Sequence, residues 1–431
     1  MIQTATQMTQ NPLASRHAAL RILEHVLDRK QPLDDGLDVY GVALSAQDRK
    51  FAHALVGLVF RHLSALDKAT NGMLDKPIKL MRARHILRIG LAQLLLMDSV
   101  PPFAAINTTV ELARTEGLDN FAGLINALLR RASREKPKMD LPAKDALPDW
   151  LAQKLRLDYG DDFPDLAEAM YARAPLFARA RDAATAEAFE KIGADPFTGV
   201  AGCWQMPPDV GPATVPGLQK GTAYVQDGAA QIPALALASL LKTDGDVLDL
   251  CAAPGGKTAQ LMDLLPGRIV HAVDSNPRRL QTLEENMTRM GLTPTVMQAD
   301  GTRLPYGDGT FAAVLLDAPC SALGTTRRHP ELVHVRLESD LESLALLQRD
   351  MLAEAFRVLK KGGVLVYAVC SLLKAEGERR TEKFAAKTPS AKRLTIDLGG
   401  IPVARPADDG ALRTLPIDGM DGFYVTAFIK E

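Results

Sequence analysis

The chain has 431 residues, of which 47% are apolar and 24% charged, and its formal net charge is −1. This length predicts two or three domains, and the absence of any run of about 18 apolar residues argues against a membrane span. The polar residues 1–12 lack the apolar centre of a secretion signal, and four cysteines are too few for a disulfide scaffold. No CxxC pair or histidine cluster has the spacing of a zinc site, so we expect a cytoplasmic protein without a bound metal.

The first part of the chain, residues 1–140, carries helical signals and almost no strand signals. Apolar residues recur at helical spacing from Leu20 to Leu27, and Ser45 and Asp48 stand as a capping pair at the start of a helix. We therefore predict an all-helical domain, with residues 1–12 disordered. The predicted helices begin at Ser15 and then cover residues 45–63, 81–97, 102–116 and 120–134.

The charges of this part form two basic clusters. Residues 1–140 hold 19 lysines and arginines against 14 acidic residues, a net charge of +5, and the remainder carries −6. Such clusters are typical either of a solvated helix face or of a surface that follows RNA phosphates, and spacing alone leaves both open. The members are Lys76, Lys79, Arg82, Arg84 and Arg88 in the first cluster, and Arg130, Arg131, Arg134, Lys136 and Lys138 in the second.

Several motifs of this part resemble the NusB-like RNA-binding domain. They are an AxxxL start at Ala19, DRKFA at 48–52, LRIGLAQLL at 87–95, PxAAIN at 102–107 and NALLRR at 126–131. Their order and joint spacing carry the resemblance, which implies that residues 1–140 bind RNA.

Residues 141–220 are predicted to form a connecting subdomain. Prolines punctuate it, as is typical of a turn-rich chain, and one short helix over 150–160 ends at Gly160. No chemistry is assigned to this part, and Cys203 is interpreted as a structural cysteine.

From Gly221 onward, strand and helix patterns alternate. This alternation predicts an α/β fold with a doubly wound, mostly parallel sheet. Residues 224–227 lead into the first helix of this part. The predicted helices cover 228–241, the residues up to Leu264, 277–290 and 338–359, and the predicted strands cover 246–250, 268–274, 294–298, 312–316, 363–369 and 422–430.

A glycine-rich stretch, CAAPGGKT at 251–258, follows the first of these strands and opens a helix. Such a turn forms a nucleotide-type site, because glycines let a ligand approach the backbone and the helix start offers free N–H groups. Asp274 ends the next strand, near the spacing at which an acid binds a ribose diol, and Asp300 follows as a possible partner of an adenine amine. The turn is not GxGxxG and contains Pro254, so S-adenosylmethionine fits better than a dinucleotide. A turn that merely serves packing, and a turn-initiating Asp300, are the alternatives.

Two predicted strands end in a Cys-Ser pair, and Asp317 precedes the first pair, Cys320-Ser321; the second is Cys370-Ser371. Carbon 5 of cytosine is a poor nucleophile, but a thiolate that adds to carbon 6 turns the ring into an enamine that can attack a sulfonium methyl group. A second thiol would serve as the base that releases the adduct, and Asp317 would hydrogen-bond the ring nitrogen edge. The target base would have to leave its stack to reach such a pocket. A single buried cysteine is usually an apolar filler, but two such pairs beside a cofactor site favour catalysis.

With these motifs, nearly the whole chain resembles bacterial ribosomal RNA cytosine-5 methyltransferases of the RsmB (Sun, Fmu) type. The motifs are DLCAAPGGKT at 249–258, AVDSNPRRL at 272–280, DAPCSALGTTRRHPE at 317–331, YAVCSLLKAEGE at 367–378 and DGFYVTAFIK at 421–430. The resemblance implies that Cys370 is the nucleophile and that Cys320 assists release. It also implies an S-adenosylmethionine site and an RNA-facing loop. The site would be lined by Cys251, Ala252, Ala253, Pro254, Gly255, Gly256, Lys257, Asp274, Arg279, Asp300 and Asp317, and the loop would hold Arg327, Arg328 and His329.

The resemblance divides the chain into a NusB-like domain at 1–140, a connecting subdomain at 141–220 and a methyltransferase domain at 221–431. We expect a monomer that methylates carbon 5 of a cytosine in 16S rRNA. Two rivals stay open: the same chemistry on tRNA, and a non-catalytic RNA-binding or antitermination-like protein. A dehydrogenase is disfavoured because GxGxxG is missing. The sequence departs from the family at Leu323 and Val369, where threonine is usual.

Overall fold

The computed structural model describes residues 12–139, 141–399, 405–406 and 410–431. The chain forms two compact units. The helical unit comprises Met1–Pro148 and the later segment His329–Val335, and the sheet unit comprises Asp149–Arg328 and Arg336–Glu431. The predicted disorder of residues 1–11 lies outside the described residues. Within the described ranges, no helix is long and apolar enough to cross a membrane, and no group of three or more His, Cys, Asp or Glu is placed to hold a metal ion.

The helical unit confirms the prediction of an all-helical first domain. Its core is built from one apolar stripe of each main helix, including the fully buried Leu23, Phe60, Leu87 and Leu129. Ser45 caps the third helix, accepting a hydrogen bond from the backbone N–H of Asp48 at 3.1 Å. The helices before the connector are α1 Ala14–Leu23, α2 Leu33–Gly41, α3 Ala46–Arg61, α4 Leu63–Gly72, α5 Met81–Leu96, α6 Pro102–Thr115, α7 Asp119–Glu135 and α8 Ala143–Ala146.

The two basic clusters of this unit differ in the structure. In the first, Arg84 and Arg88 pair with Asp67, at 2.8 and 2.6 Å, and Arg88 is buried. The second keeps exposed cations at the end of α7, with Arg130, Arg134, Lys136 and Lys138 all open to solvent. Since phosphate binding needs accessible cations, the second cluster is the better candidate for an RNA surface.

The connector contains a small sheet that the sequence analysis did not predict. Its antiparallel strands lie in the order β2-β3-β1-β4. These strands have two to four residues and are separated by glycines and prolines, so they show no periodicity. The last strand pairs with the first, which places residues 223–225 in the connector sheet. The elements are α9 Asp149–Tyr159, α10 Phe163–Tyr171, β1 Phe177–Ala180, α11 Ala183–Lys191, β2 Asp195–Pro196, β3 Cys203–Gln205 and β4 Ala223–Val225.

The rest of the sheet unit confirms the predicted doubly wound architecture. Within the described residues, the large sheet has the order β11-β12-β13-β9-β8-β5-β6-β7, and β10 pairs with β13. Strands β5 to β9 are mutually parallel, and β13 is antiparallel to β9. The elements are α12 Gly228–Leu240, β5 Val247–Leu250, α13 Gly256–Leu264, β6 Val270–Asp274, α14 Pro277–Met290, β7 Thr295–Gln298, β8 Phe311–Asp317, α15 Asp340–Arg357, β9 Leu359–Val369, α16 Glu378–Lys387, β10 Ala391–Leu394, β11 Arg405–Pro406, β12 Leu412–Thr414 and β13 Phe423–Lys430.

The central strand β8 explains the continuous apolar run in the sequence. Ala313 and Leu315 pack into the core on one face of the sheet, while Val314 and Leu316 pack into the core on the other face. From β5 the chain adds β6 and β7 on one side and later β8 and β9 on the other, so the strand order reverses between β5 and β8. Ligands bind at such a switch point, beyond the carboxyl ends of the strands.

Candidate active site

The glycine-rich loop after β5 makes a tight turn against α14. Cys251 has a φ of +65° and Gly255 a φ of +104°, both in the left-handed region, and the peptide between Ala253 and Pro254 is cis. The side chain of Asn286 donates to the carbonyl of Pro254 at 3.0 Å. A Cβ atom on Gly255 would lie 2.8 Å from the terminal Cε of Met287, which would have to move, and the left-handed φ itself favours glycine here. The turn therefore carries the backbone directly into the first residue of α13.

Acidic residues follow this loop at the ends of successive strands. Asp274, at the end of β6, is buried and accepts from the backbone N–H groups of Ala253 at 3.3 Å and Asn276 at 3.0 Å. The exposed Arg279 lies 3.7 Å from its carboxylate and donates to the carbonyl of Ala253. Asp300, beyond β7, is exposed, and the backbone N–H and hydroxyl of Thr302 lower the pKa of its carboxyl group.

Lys257 and Asp317 connect the loop to the end of β8. The Nζ of Lys257 lies 2.7 Å from Oδ2 of Asp317 and 5.5 Å from the centre of the Phe423 ring. Burial by itself would lower the pKa of Lys257, but the carboxylate of Asp317 outweighs it and raises that pKa above its usual value. Lys257, predicted as a cofactor ligand, thus serves as the charge partner of Asp317.

These groups fit a nucleoside that carries an amino acid. The first turn of α13 offers backbone N–H groups without helical partners, and the left-handed Gly255 lets a ligand approach them. The carboxylate of Asp274 can hydrogen-bond a ribose diol. Asp300 lies at the end of the next strand and is exposed to solvent. Cys251, whose thiol has its pKa raised by burial, belongs to the wall of the loop rather than to the chemistry.

The two cysteines predicted to act together lie side by side. The Sγ atoms of Cys320 and Cys370 are 3.5 Å apart, beyond the ends of the paired strands β8 and β9. The hydrogen bond to Cys370, burial, and the negative charges of Cys370 and Glu376 raise the pKa of Cys320 well above its ordinary value. Cys320 therefore keeps its proton in the resting site, while Cys370 is the more exposed thiol of the two. Cys203 lies in β3, and burial raises its pKa to about 12, as a structural cysteine requires.

Glu376 has no role predicted from the sequence, but in the structure it lies next to the residues that follow Cys320 and Cys370. Its carboxylate accepts hydrogen bonds from the hydroxyls of Ser321 and Ser371, the residues that follow the cysteines. Two features of the sequence could have pointed to Glu376. One is an acidic residue six positions after Cys370, and the other is the serine that directly follows each of Cys320 and Cys370.

The three residues of the predicted RNA-facing loop differ in their contacts and exposure. Arg327 is buried and donates to the carbonyls of Pro416 and Gly419. Arg328 bonds Asp227 at 2.5 Å and Asp421 at 2.9 Å. Arg327 also lies 3.7 Å from the carboxylate of Asp421, so both guanidinium groups neutralise buried carboxylates, and Arg328 is the more exposed of the two. His329 belongs to the helical unit, and its side chain is 39% exposed.

Comparison with protein families gives matches in both units. The family model described as 16S rRNA methyltransferase RsmB/F matches residues 236–429, and the NusB family model matches residues 13–134. The protein called ribosomal RNA small subunit methyltransferase B of Sodalis glossinidius (strain morsitans) is 35% identical over 96% of this chain and 98% of that protein. Its counterpart in Vibrio cholerae serotype O1 is 34% identical over 96% of this chain and 97% of that protein.

Solved structures support the fold. A crystal structure described as PH0851 has a TM-score of 0.79 at 22% identity and covers 99% of this chain and 100% of that one. NSun6 from Pyrococcus horikoshii, solved with SFG, has a TM-score of 0.55 at 19% identity and covers 66% of this chain and 98% of that one. With relatives above 30% identity across almost its full length, a NusB-family front and a methyltransferase sheet, the chain belongs to the RsmB family of ribosomal RNA small subunit methyltransferases.

Proposed function

We propose that this methyltransferase transfers a methyl group from S-adenosylmethionine to carbon 5 of a cytosine in 16S rRNA, through a covalent adduct with Cys370. The observation that carries the proposal is the pair of thiols 3.5 Å apart, next to Asp317 and the glycine-rich loop. A methyltransferase acting on an already nucleophilic nitrogen or oxygen needs no thiol. Two thiols at the cofactor edge suit a carbon that must first be activated.

In this mechanism Cys370 supplies the nucleophile. Its thiol proton passes to solvent, its sulfur bonds carbon 6 of the cytosine, and the pair of electrons from the ring double bond makes carbon 5 nucleophilic. S-adenosylmethionine, when bound, supplies the electrophilic methyl group. The proton on carbon 5 must then leave to a base, so that the bond between Cys370 and carbon 6 can break and the double bond can return.

Cys320 is placed to be that base. In the resting site its pKa is raised first by the hydrogen bond to Cys370 and then by burial and negative charge. Once the sulfur of Cys370 is bonded to carbon, it can neither ionise nor exchange a proton with Cys320. This cause of the raised pKa is then removed, so Cys320 gives up its own proton to solvent more readily and its thiolate can accept the one from carbon 5.

Asp317 and Lys257 orient the cytosine ring of the substrate. The carboxylate of Asp317 can hydrogen-bond the nitrogen edge of the ring, and Lys257 at 2.7 Å fixes the direction of that carboxylate. We also propose that the glycine-rich loop, Asp274 and Asp300 hold the cofactor. NSun6 from Pyrococcus horikoshii, which has a related fold, was solved with SFG, and this supports a cofactor of this chemical class.

The choice of 16S rRNA rests on the relatives, which are named as small-subunit methyltransferases. The exposed cations at the end of α7 give the helical unit a surface for RNA phosphates, in agreement with a NusB-like domain. We keep the proposed division into a NusB-like RNA-binding domain, a connecting subdomain and a methyltransferase domain, and a monomeric enzyme.

The proposal is tested by transfer of labelled methyl groups from S-adenosylmethionine to protein-free small-subunit rRNA, with a tRNA pool as the control and nucleoside analysis of the product. Label in 5-methylcytidine from rRNA alone is the expected result. Label in tRNA would retain the chemistry and overturn the substrate, and label in another nucleoside would overturn the chemistry. If neither free RNA is labelled, an assembling small-subunit particle is the next substrate to assay, and failure there would favour the binding-protein alternative.

A further inference from the structure

The two Cys-Ser pairs share a feature on the side away from the thiols. The hydroxyls of Ser321 and Ser371 are fully buried and lie 3.1 Å apart. Each donates to the same oxygen, Oε2 of Glu376, at 2.5 Å. One carboxylate oxygen therefore joins the residues that follow the two cysteines.

The other oxygen of Glu376 is equally engaged. Oε1 accepts from the backbone N–H of Ser321 at 2.9 Å and from the side chain of Gln348 at 3.1 Å. The same amide of Gln348 reaches the carbonyl of Pro319 at 3.0 Å, and Tyr367 donates to the backbone carbonyl of Glu376 at 2.8 Å. Glu376 is only 2% exposed, so a carboxylate with four donors replaces the water that such a group would otherwise need.

This network lies just beyond the ladder between β8 and β9, while the ladder between β9 and β13 ends at Val369, directly before Cys370. The ladder between β8 and β9 ends at the pair Asp317 and Ala368, followed by a bond from the N–H of Ala318 to the carbonyl of Ala368. Both cysteines come after that point. Consecutive Cα atoms are about 3.8 Å apart, so fixing a serine fixes the cysteine before it. Among the described residues, Glu376 is the side chain that bonds both serines.

We propose that Glu376 is a positioning residue that holds the thiols of Cys320 and Cys370 at reaction distance. It bonds the serines and makes no hydrogen bond to either sulfur, so apart from its negative charge, which helps to raise the pKa of Cys320, it acts through the backbone of the two pairs. The proposal rests on the proposed function, because the thiol spacing matters only if both thiols act on one cytosine. A purely structural role would stabilise the fold without setting this spacing.

The test compares Glu376→Gln with Glu354→Gln. Glutamine has one acceptor oxygen instead of two, so the first variant loses either the bonds from the two serine hydroxyls or those from the Ser321 N–H and Gln348. Glu354 also accepts from a backbone N–H, that of Leu304, and from an arginine, Arg357. Glu354 lies near the end of α15, just before β9 begins, whereas Cys370 follows the other end of β9. The Glu354→Gln variant therefore controls for the loss of a partly buried carboxylate.

Two readouts report the spacing. The first is the rate at which diamide forms a disulfide between Cys320 and Cys370, followed by mass spectrometry. In that reaction the two thiols lose two protons and two electrons as the S–S bond forms, and the N=N bond of diamide takes them up to become a hydrazine. The second readout is kcat and KM for methyl transfer to RNA, with the melting temperature of both variants measured in parallel.

For Glu376→Gln we expect disulfide formation to slow by about tenfold and kcat to fall by roughly 10- to 100-fold, with KM nearly unchanged. Glu354→Gln should keep the wild-type values. If the two variants lose similar melting temperature and agree in disulfide rate and kcat, the positioning role is overturned. If Glu376→Gln does not fold, Ser371→Ala removes one anchor and is expected to show the same pattern, and wild-type rates in it would also overturn the proposal.

The outcome separates this inference from the function on which it rests. A wild-type protein that methylates RNA, with unaffected thiols in the variant, refutes the positioning role alone. A wild-type protein that labels no RNA, although disulfide formation still depends on Glu376, refutes the proposed function and leaves the spacing role of Glu376 intact.

Discussion

Two regions meet at the same edge of the large sheet and are held in different ways. The glycine-rich loop takes its form from its own backbone, with left-handed Cys251 and Gly255 and a helix that begins at once. The cysteine pair takes its form from side chains far apart in the chain, since Glu376 lies 55 residues from Ser321. A loop of the first kind is a local property of eight residues. A site of the second kind exists only after the sheet has formed.

This difference predicts where substitutions act. Changes in the loop should disturb cofactor binding and local backbone strain. Changes around the thiols should disturb chemistry or the burial of charge.

The largest expected effect on catalysis comes from the removal of each thiol in turn. Cys370→Ala is expected to lower kcat by at least about 10³-fold, because the covalent step is lost. Cys320→Ala is expected to accumulate a covalent adduct with RNA, because release lacks its base. A denaturing gel of each variant mixed with RNA and S-adenosylmethionine measures both. An adduct with Cys370→Ala, and none with Cys320→Ala, would reverse the assigned roles.

These two regions also show what the sequence could predict. The loop, the parallel strands and the meeting of Cys320 with Cys370 follow from local patterns, because the carboxyl ends of adjacent parallel strands share an edge. The bonds of Glu376 do not, and neither do the pairs of Arg328 with Asp227 and Asp421. They join residues that are distant in the chain, so no spacing reveals them. The connector sheet was missed for another reason: its strands are too short to show a period.

The charges of Arg328, Asp227 and Asp421 test the region that is held by side chains distant in the chain. Arg328→Gln leaves Asp227 without its cationic partner and Asp421 with Arg327 alone, and we expect it to lower the free energy of unfolding by about 3 kcal/mol. The dependence of RNA affinity on salt should stay unchanged, because the guanidinium is engaged by these two carboxylates. Denaturant unfolding and RNA binding at several salt concentrations give the two quantities.

Arg130→Gln, in the exposed cluster of α7, is the matched control. It should leave stability unchanged and reduce the slope of log affinity against log salt by roughly 1. If instead Arg328→Gln kept full stability and reduced that slope, Arg328 would be an RNA contact after all.

Substitutions of two glycines test the glycine-rich loop, whose form depends on its own backbone. Gly255→Ala meets both a left-handed φ and the Cε of Met287 at 2.8 Å, so we expect a loss of about 2 to 3 kcal/mol in stability. Affinity for S-adenosylmethionine should fall with it, measured by calorimetry. Gly267→Ala has a similar φ of +84° and nothing within 4 Å of the added Cβ. It should cost about 1 kcal/mol and leave the affinity unchanged. Equal affinities in the two variants would contradict a cofactor role for the loop.

The smallest effect concerns a histidine that follows the cysteine loop. His334 donates to the carbonyl of Phe60 at 2.9 Å within the helical unit, and burial lowers its pKa to about 4. The charges of Arg88, Asp67 and Lys30 also act on it. Because the unfolded value is about 6.5, the fold favours the neutral ring. Its contribution is fully present above about pH 6.5 and is lost as pH falls from there towards 4.

Between pH 7.5 and pH 5 this loss amounts to about 2 kcal/mol. His334→Gln cannot titrate, so its free energy of unfolding should fall by about 2 kcal/mol less than that of the wild type over this range. Denaturant unfolding at both pH values measures the difference. His53→Gln, at an exposed position of α3, is the control and should follow the wild type. Parallel pH profiles for the wild type and His334→Gln would show that the buried ring does not drive the change.

The same segment has a consequence for dissecting the protein. Because His329–Val335 belongs to the helical unit, the chain crosses between the units at three places instead of one. A truncation after Pro148 would deprive the helical fragment of His334 and of its bond to Phe60. A complementary fragment starting at Asp149 would carry a stretch of chain without its native neighbours. The two units are therefore not modules that one cut can separate, and a recombinant helical domain would need residues 329–335 supplied as a peptide or grafted by a linker.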